Sequence, residues 1–146
     1  MSEHLASVHW NRQGTEFTPK EYTREHRWKF VGGHEVRASA APQYLGNPEL
    51  VDPEEAFVAS LSSCHMLTFL ALAARDGVVV DDYEDDAIGY MERNEDKRMA
   101  ITRVVLRPKI SWGGEPPSPE HLDKLHANAH KHCFIANSVK TQISVE

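Results

Sequence analysis

Residues 53–77 read PEEAFVASLSSCHMLTFLALAARDG, and no other segment limits the fold as strongly. Asp52 stands as an N-cap, Pro53 takes the first helical position, and Glu54 and Glu55 put negative charge at the positive end of the helix dipole. Arg75 falls in the last turn, and Gly77 supplies the left-handed residue that closes a helix. At 1.5 Å per residue this helix is about 34 Å long. Apolar or small residues occupy nearly every face between Ala56 and Ala74, which predicts burial on most sides. A chain of 146 residues has too little else to wrap such a helix alone. The sequence therefore predicts an intertwined homodimer, in which Ala59, Ser60, Ser62 and Ser63 let a second helix come close.

Around this helix the patterns alternate. Segment 5–12 predicts a strand, and 25–31 and 34–40 predict an antiparallel hairpin closed by a tight two-residue turn at Gly32-Gly33. Pro42, Gly46, Asn47 and Pro48 mark the loop that delivers the chain to Asp52. Beyond the helix, the acidic run Asp81 to Asp86 reads as a solvated strand-edge loop without the ligand alternation of a calcium loop. Strands follow at 86–94 and 99–110. Ser118-Pro119-Glu120 starts an amphipathic helix over 119–132 with Leu122 and Leu125 inward, Phe134 to Val139 begins a short second helix, and 140–146 is a strand. The order gives an α+β fold with antiparallel sheets around one long helix, in a single domain spanning 1–146.

Sixteen Lys and Arg against 22 Asp and Glu leave a net charge of −6, which argues against nucleic acid or an anionic membrane as partner. The apolar stretch from Met66 to Ala74 is too short to cross a bilayer. The start Met1-Ser2-Glu3-His4-Leu5 lacks a basic segment followed by an apolar one, so a cytoplasmic location is expected. In that compartment two cysteines are not a permanent staple, because exposed thiols stay reduced.

Cys64 lies in the middle of the long helix, where the macrodipole has faded and apolar surroundings oppose ionisation. A thiolate there needs a cation brought from elsewhere in the fold. Cys133 falls where the second helix ends, and a break at that point puts its sulfur near free backbone N–H groups. A disulfide between the two, closing a loop of about 70 residues, would stabilise the fold by roughly 4 kcal/mol.

Asp52-Pro53-Glu54-Glu55, the run Ser63-Cys64-His65-Met66-Leu67-Thr68-Phe69-Leu70 and the second cysteine together resemble the OsmC/Ohr family of organic hydroperoxide resistance proteins. The likeness spans nearly the whole chain. It implies an intertwined α+β homodimer with two active sites at the subunit interface. It also implies a thiol peroxidase that reduces organic and fatty-acid hydroperoxides to alcohols in oxidative stress defence, needs no cofactor, and is recycled by a dithiol such as a lipoylated protein. By the same resemblance Cys64 is the peroxidatic cysteine, Cys133 the resolving one, Glu54 the acidic partner, and Arg24 the activating arginine, with Arg27 as the alternative. Ten residues of uninterrupted helix separate Glu54 from Cys64 by about 15 Å of rise. Either the helix is broken near its start, or Glu54 serves the partner subunit's site, which is the favoured reading. The chain departs from many relatives at Phe134, where they carry proline directly after the second cysteine.

Two other readings stand beside this one. Nine histidines invite a metal site from His126 and His130, one turn apart, with His65, His132 and the cysteines, although neither a CxxC pair nor HExxH is present. Alternatively, the dimer binds a hydrophobic small molecule without turnover, walled by Met66, Phe69, Trp112 and Phe134.

Overall fold

Strands β1 (Ala6–Trp10), β2 (His26–Phe30) and β3 (Glu35–Ala38) form an antiparallel meander in that order. In the computed structural model, which describes all 146 residues, contacts gather into two units, residues 1–56 and 57–146. The meander frames the first. Its hairpin closes differently from the sequence expectation: Phe30 N–H donates to the His34 carbonyl and Gly33 N–H to the Phe30 carbonyl, both at 3.0 Å. The connection is therefore three residues, and only Gly33 has a positive φ, at 89°. A single left-handed residue after a turn suffices to return the chain, so the second glycine is not needed for φ. Every residue of β1 is exposed. Only Trp10 at its end is partly covered, by Phe17 and Tyr22.

The loop from β3 to the long helix is tied down by polar contacts. Ser39 N–H donates to the Val51 carbonyl at 2.9 Å, and Asn47 N–H donates to Ser39 Oγ at 3.0 Å. At Gly46 a Cβ would lie 1.6 Å from the Ala40 carbonyl oxygen, so no other residue fits that crossing. Asp52 and Glu55 then close a reciprocal capping box. Glu55 N–H donates to Asp52 Oδ1 at 2.8 Å, and Asp52 N–H donates to Glu55 Oε2 at 3.1 Å.

Helix α1 runs unbroken from Pro53 to Arg75. It ends as the sequence predicts, with Gly77 at φ 72°, Gly77 N–H donating to Ala74 and Val78 N–H donating to Ala73. Its burial is narrower than expected. One stripe, Leu61, His65, Phe69 and Ala73, is buried, whereas Ala59, Ser63, Leu67 and Ala71 on the opposite face are exposed. An apolar helix with a bare face is covered on one side only by its own chain. By length and composition alone α1 is also long and apolar enough to cross a membrane, which corrects the estimate made from Met66 to Ala74. The buried stripe is that of a core helix.

In the second unit α1 packs with two small sheets and helix α2 (Pro119–His132). Strand β4 (Val80–Asp85) pairs with β7 (Pro108–Trp112), and β5 (Ile88–Arg93), β6 (Met99–Leu106) and β8 (Gln142–Val145) form a sheet in that order. The acidic run is thus strand rather than loop, and the expected strand 99–110 is two, parted at Arg107. All pairs are antiparallel except β6 with β8. One cluster of the core joins Phe69, Ala73, Leu125 and Ala129, and another joins Leu61, Val104 and Leu106. Full burial of such side chains contributes about 1.5–3 kcal/mol each.

Candidate active site

Cys64 follows the buried stripe of α1 by a turn's edge and is half-buried, with its carbonyl accepting from Thr68 Oγ1 at 2.9 Å. Cys133 is the residue at which α2 stops. Ser118 Oγ caps the other end, accepting from His121 N–H at 3.1 Å, and Cys133 turns the chain out of helix at ψ 114°. A 3-10 turn over Ala136–Ser138 follows, so the expected short helix is present as a single turn. Its start points a backbone donor at the sulfur: Ala136 N–H reaches Cys133 Sγ at 3.4 Å. Phe134, standing in the place of the proline of relatives, is exposed and leaves this arrangement intact.

Both thiols are free, and they are neighbours. Burial pushes the Cys133 thiol above its ordinary value; the Ala136 N–H opposes this, and Cys64 beside it adds to the rise. The buried sulfur thus keeps its proton while the half-open one faces it. That is the arrangement in which an oxidised Cys64 has a second thiol within reach.

Beside the cysteines lies a polar pair drawn from the histidines that the sequence grouped as a metal site. His65, wholly buried on the α1 stripe, and His126 of α2 stack with ring planes 10° apart, and His65 Nε2 and His126 Nδ1 share a hydrogen bond of 3.0 Å. Phe69 stacks on His126 at 4.5 Å. Burial holds His65 down to a pKa of about 4, with His126 and His130 adding to the effect and Asp85 opposing it. Burial lowers His126 likewise. The Nδ1 of His65 is buried without a partner, as is the Tyr83 hydroxyl. Asp85, which accepts from Ser62 Oγ and Arg107 N–H, supplies the nearby negative charge. No three His, Cys, Asp or Glu side chains are arranged to hold a metal ion, and of the histidines in the expected set His65 and His126 are the two that share a hydrogen bond. The apolar wall expected from Met66, Phe69, Trp112 and Phe134 does not form one surface: Phe69 is core with Trp112 packed against it, and Phe134 is exposed.

The first unit holds the charged residues. Arg24 and Glu54 line one cleft of about 610 Å³, walled by Trp10, Phe17, Tyr22 and Tyr44. The aromatic rings form a cluster, with centroids 6.0 Å apart for Trp10 and Phe17 and 5.4 Å for Phe17 and Tyr22. The Arg24 guanidinium lies 3.7 Å over the Tyr22 ring and donates to the carbonyls of Tyr22 and Pro19. These contacts fix its plane without Glu54, so backbone acceptors hold the guanidinium where the resemblance implies an acidic partner. Arg27 stands on another cleft, 3.5 Å from Glu35 and more than half exposed. Trp10, Phe17 and Tyr22 come from a strand and a loop, and no spacing in the sequence marks them as one wall.

Comparison with known proteins agrees with the fold. A family model described as OsmC-like protein matches residues 46–146. An OsmC-like protein of unknown function from Vibrio cholerae is 46% identical, with a TM-score of 0.96 over 100% of this chain and 99% of its own. An organic hydroperoxide resistance protein OsmC from Legionella pneumophila shares 17% identity and a TM-score of 0.72, covering 100% and 98%. One from Elizabethkingia anophelis shares 16% and 0.74, covering 100% and 96%. A search of curated proteins finds no match. With the paired cysteines, the α+β architecture and these likenesses together, the chain belongs to the OsmC-like protein family.

Proposed function

We propose that this protein is a cysteine-based reductase of organic hydroperoxides that works as a homodimer in the cytoplasm. The observation that carries the reading is the pairing of a half-open Cys64 with a buried, protonated Cys133. In the first step the Cys64 thiolate attacks the distal peroxide oxygen, the O–O bond breaks, and the alkoxide leaves, taking a proton from water to become the alcohol. Cys64 is then a sulfenic acid. The Cys133 sulfur attacks it, the S–O bond breaks, and the hydroxide departs with the Cys133 proton as water. An external dithiol, of the lipoylated-protein kind that the family resemblance implies, returns the disulfide to two thiols by exchange.

Arg24 is the cation for Cys64 in this scheme, and Glu54 completes the charged cleft. Since α1 is continuous from Pro53 to Arg75, the partner subunit is the source we assign for them. The bare stripe Ala59, Ser63, Leu67 and Ala71 and the exposed β1 support such a dimer. The aromatic wall of the Arg24 cleft suits the apolar tail of a fatty-acid type peroxide.

The test is titration of reduced protein with cumene hydroperoxide while free thiols are counted. Two thiols lost per equivalent, and none lost to peroxide in Cys64→Ser, is the expected result. Apolar ligand binding that survives Cys64→Ser, in a wild type that consumes no peroxide, would instead make this a binding protein.

A further inference from the structure

We infer that His65 and His126 are positioning residues, which bolt α1 to α2 so that the Cys64 and Cys133 sulfurs are held within reach of one another. The inference deepens the disulfide step proposed above and rests on it. His65 follows Cys64 directly on α1. His126 precedes Cys133 by seven residues on α2, which is two turns with almost no net rotation, so both lie on the face of α2 that meets the core. The shared hydrogen bond of 3.0 Å is therefore the buried directional link between the two helices that carry the thiols, the other polar contact, between His121 and Asp76 at 2.9 Å, being exposed and at the far end of α1.

Packing alone gives no reason for histidine here. Around the pair are Phe69, Leu125 and Ala129, in a cluster that apolar side chains fill well. His65 also carries a cost, because its Nδ1 is buried without a partner. What a Leu-Phe contact cannot supply is a fixed distance and direction, as apolar surfaces slide at little expense while a buried hydrogen bond does not. Residual slack between α1 and α2 would lower the effective concentration of one thiol for the other. The link needs one of the two facing nitrogens to donate and the other to accept, and it is lost when both carry protons. The groups that face it are Asp85 and Tyr83 from β4 and His130 and Asp123 from α2.

The experiment measures the dithiol–disulfide equilibrium of the full-length protein against a glutathione redox buffer, which requires no peroxide. His126→Leu is expected to lower the effective concentration of the pair at least tenfold. His126→Asn, whose amide takes the place of Nδ1, should restore it to within threefold of wild type, although it fills the core less well. In a Cys133→Ser background, where no second thiol competes, trapping of the Cys64 sulfenic acid by dimedone should proceed at the same rate with or without either His126 substitution. An unchanged equilibrium in His126→Leu, or Asn no better than Leu, would overturn the inference. If His126→Leu does not fold, nitrogen NMR of the wild-type rings decides. A proton shared between His65 Nε2 and His126 Nδ1 at pH 7 upholds the bolt, and two rings titrating independently near their ordinary value refute it. A wild type that ignores cumene hydroperoxide yet shows the His126 effect on the glutathione equilibrium would remove the peroxidase reading and leave this one standing.

Discussion

Cys133 keeps its proton beside Cys64, buried at the end of α2 with the Ala136 N–H 3.4 Å from its sulfur. The two thiols are therefore unequal before any oxidant arrives. Burial disfavours the charged form of Cys133, whereas the half-buried Cys64 is the one that a peroxide can meet first.

The order of events can be read from single variants. Cys133→Ser should consume one equivalent of cumene hydroperoxide and stop at a sulfenic acid that dimedone traps, with no disulfide by mass. In the wild type the closed loop of about 70 residues should make the oxidised protein more resistant to urea by roughly 4 kcal/mol. Urea titrations with and without reductant measure this directly. Equal midpoints would mean that the bond strains the native state by as much as it restricts the unfolded one.

Arg24 and Arg27 separate by environment. Arg24 is held flat on Tyr22 in the cleft that also contains Glu54, while Arg27 is a surface residue paired with Glu35. Removing a fixed charge from a reacting centre costs about 100-fold or more in rate, and removing one arm of an exposed ion pair costs little. Arg24→Met is thus expected to lower kcat/KM for cumene hydroperoxide by about two orders of magnitude. Arg27→Met should stay within about threefold. The reverse ranking would transfer the activating role to Arg27.

Acid should weaken the fold in a window that the carboxylates do not fill. An unfolded chain protonates His65 as the pH falls through about 6.5, but the folded protein does so only near 4. Between those values the unfolded state binds more protons, so stability falls as pH falls; above 6.5 the contribution is fully present. The loss across the window is about 3 kcal/mol. Glu35, Asp76 and Glu92 are held below the usual carboxylate range by their partners and respond at lower pH. Urea midpoints between pH 7 and 4.5 should decline in the wild type and decline less steeply in His65→Gln, the buried His126 supplying part of what remains. A slope unaltered by that substitution would place the acid sensitivity elsewhere.

Helix ends were legible because their causes are local. Asp52-Pro53-Glu54-Glu55, Gly77 and Ser118-Pro119-Glu120 each carry the donor, acceptor or φ that a terminus needs, and the structure ends the helices there. Strand β4 was not legible, since the pairing slips between Val80 and Asp82 and the bulge breaks the alternation that would reveal a strand among acids. The direction of β8 depends on its partner β6, 39 residues earlier in the paired register, which a short segment does not encode. The two cysteines were visible as chemistry. His65 and His126 were both visible as residues that could converge, and His65 falls in step with Leu61 and Phe69, but that the two bond each other directly depends on how α1 and α2 pack, which the sequence does not encode.

A last prediction concerns how closely β5 lies on α1. A Cβ on Gly89 would come within 2.5 Å of Val58 Cγ2, far inside contact distance, with Ile101 and Val104 closing the other sides. Gly89 is in a strand, where alanine is otherwise the better residue, so backbone entropy alone predicts a gain from Gly89→Ala. Overpacking opposes it and costs typically 1–3 kcal/mol, which is roughly twice the entropic gain. The net expectation is destabilisation by about 1 kcal/mol or more. Val58→Ala removes the methyl that clashes but leaves a small cavity, so it too should destabilise when made alone. In the double variant the new Cβ occupies the vacated space, and the two losses should add to less than their sum. A double-mutant cycle in urea reads this coupling. Strict additivity would show that β5 moves away from α1 as a unit instead of being pinned at Gly89.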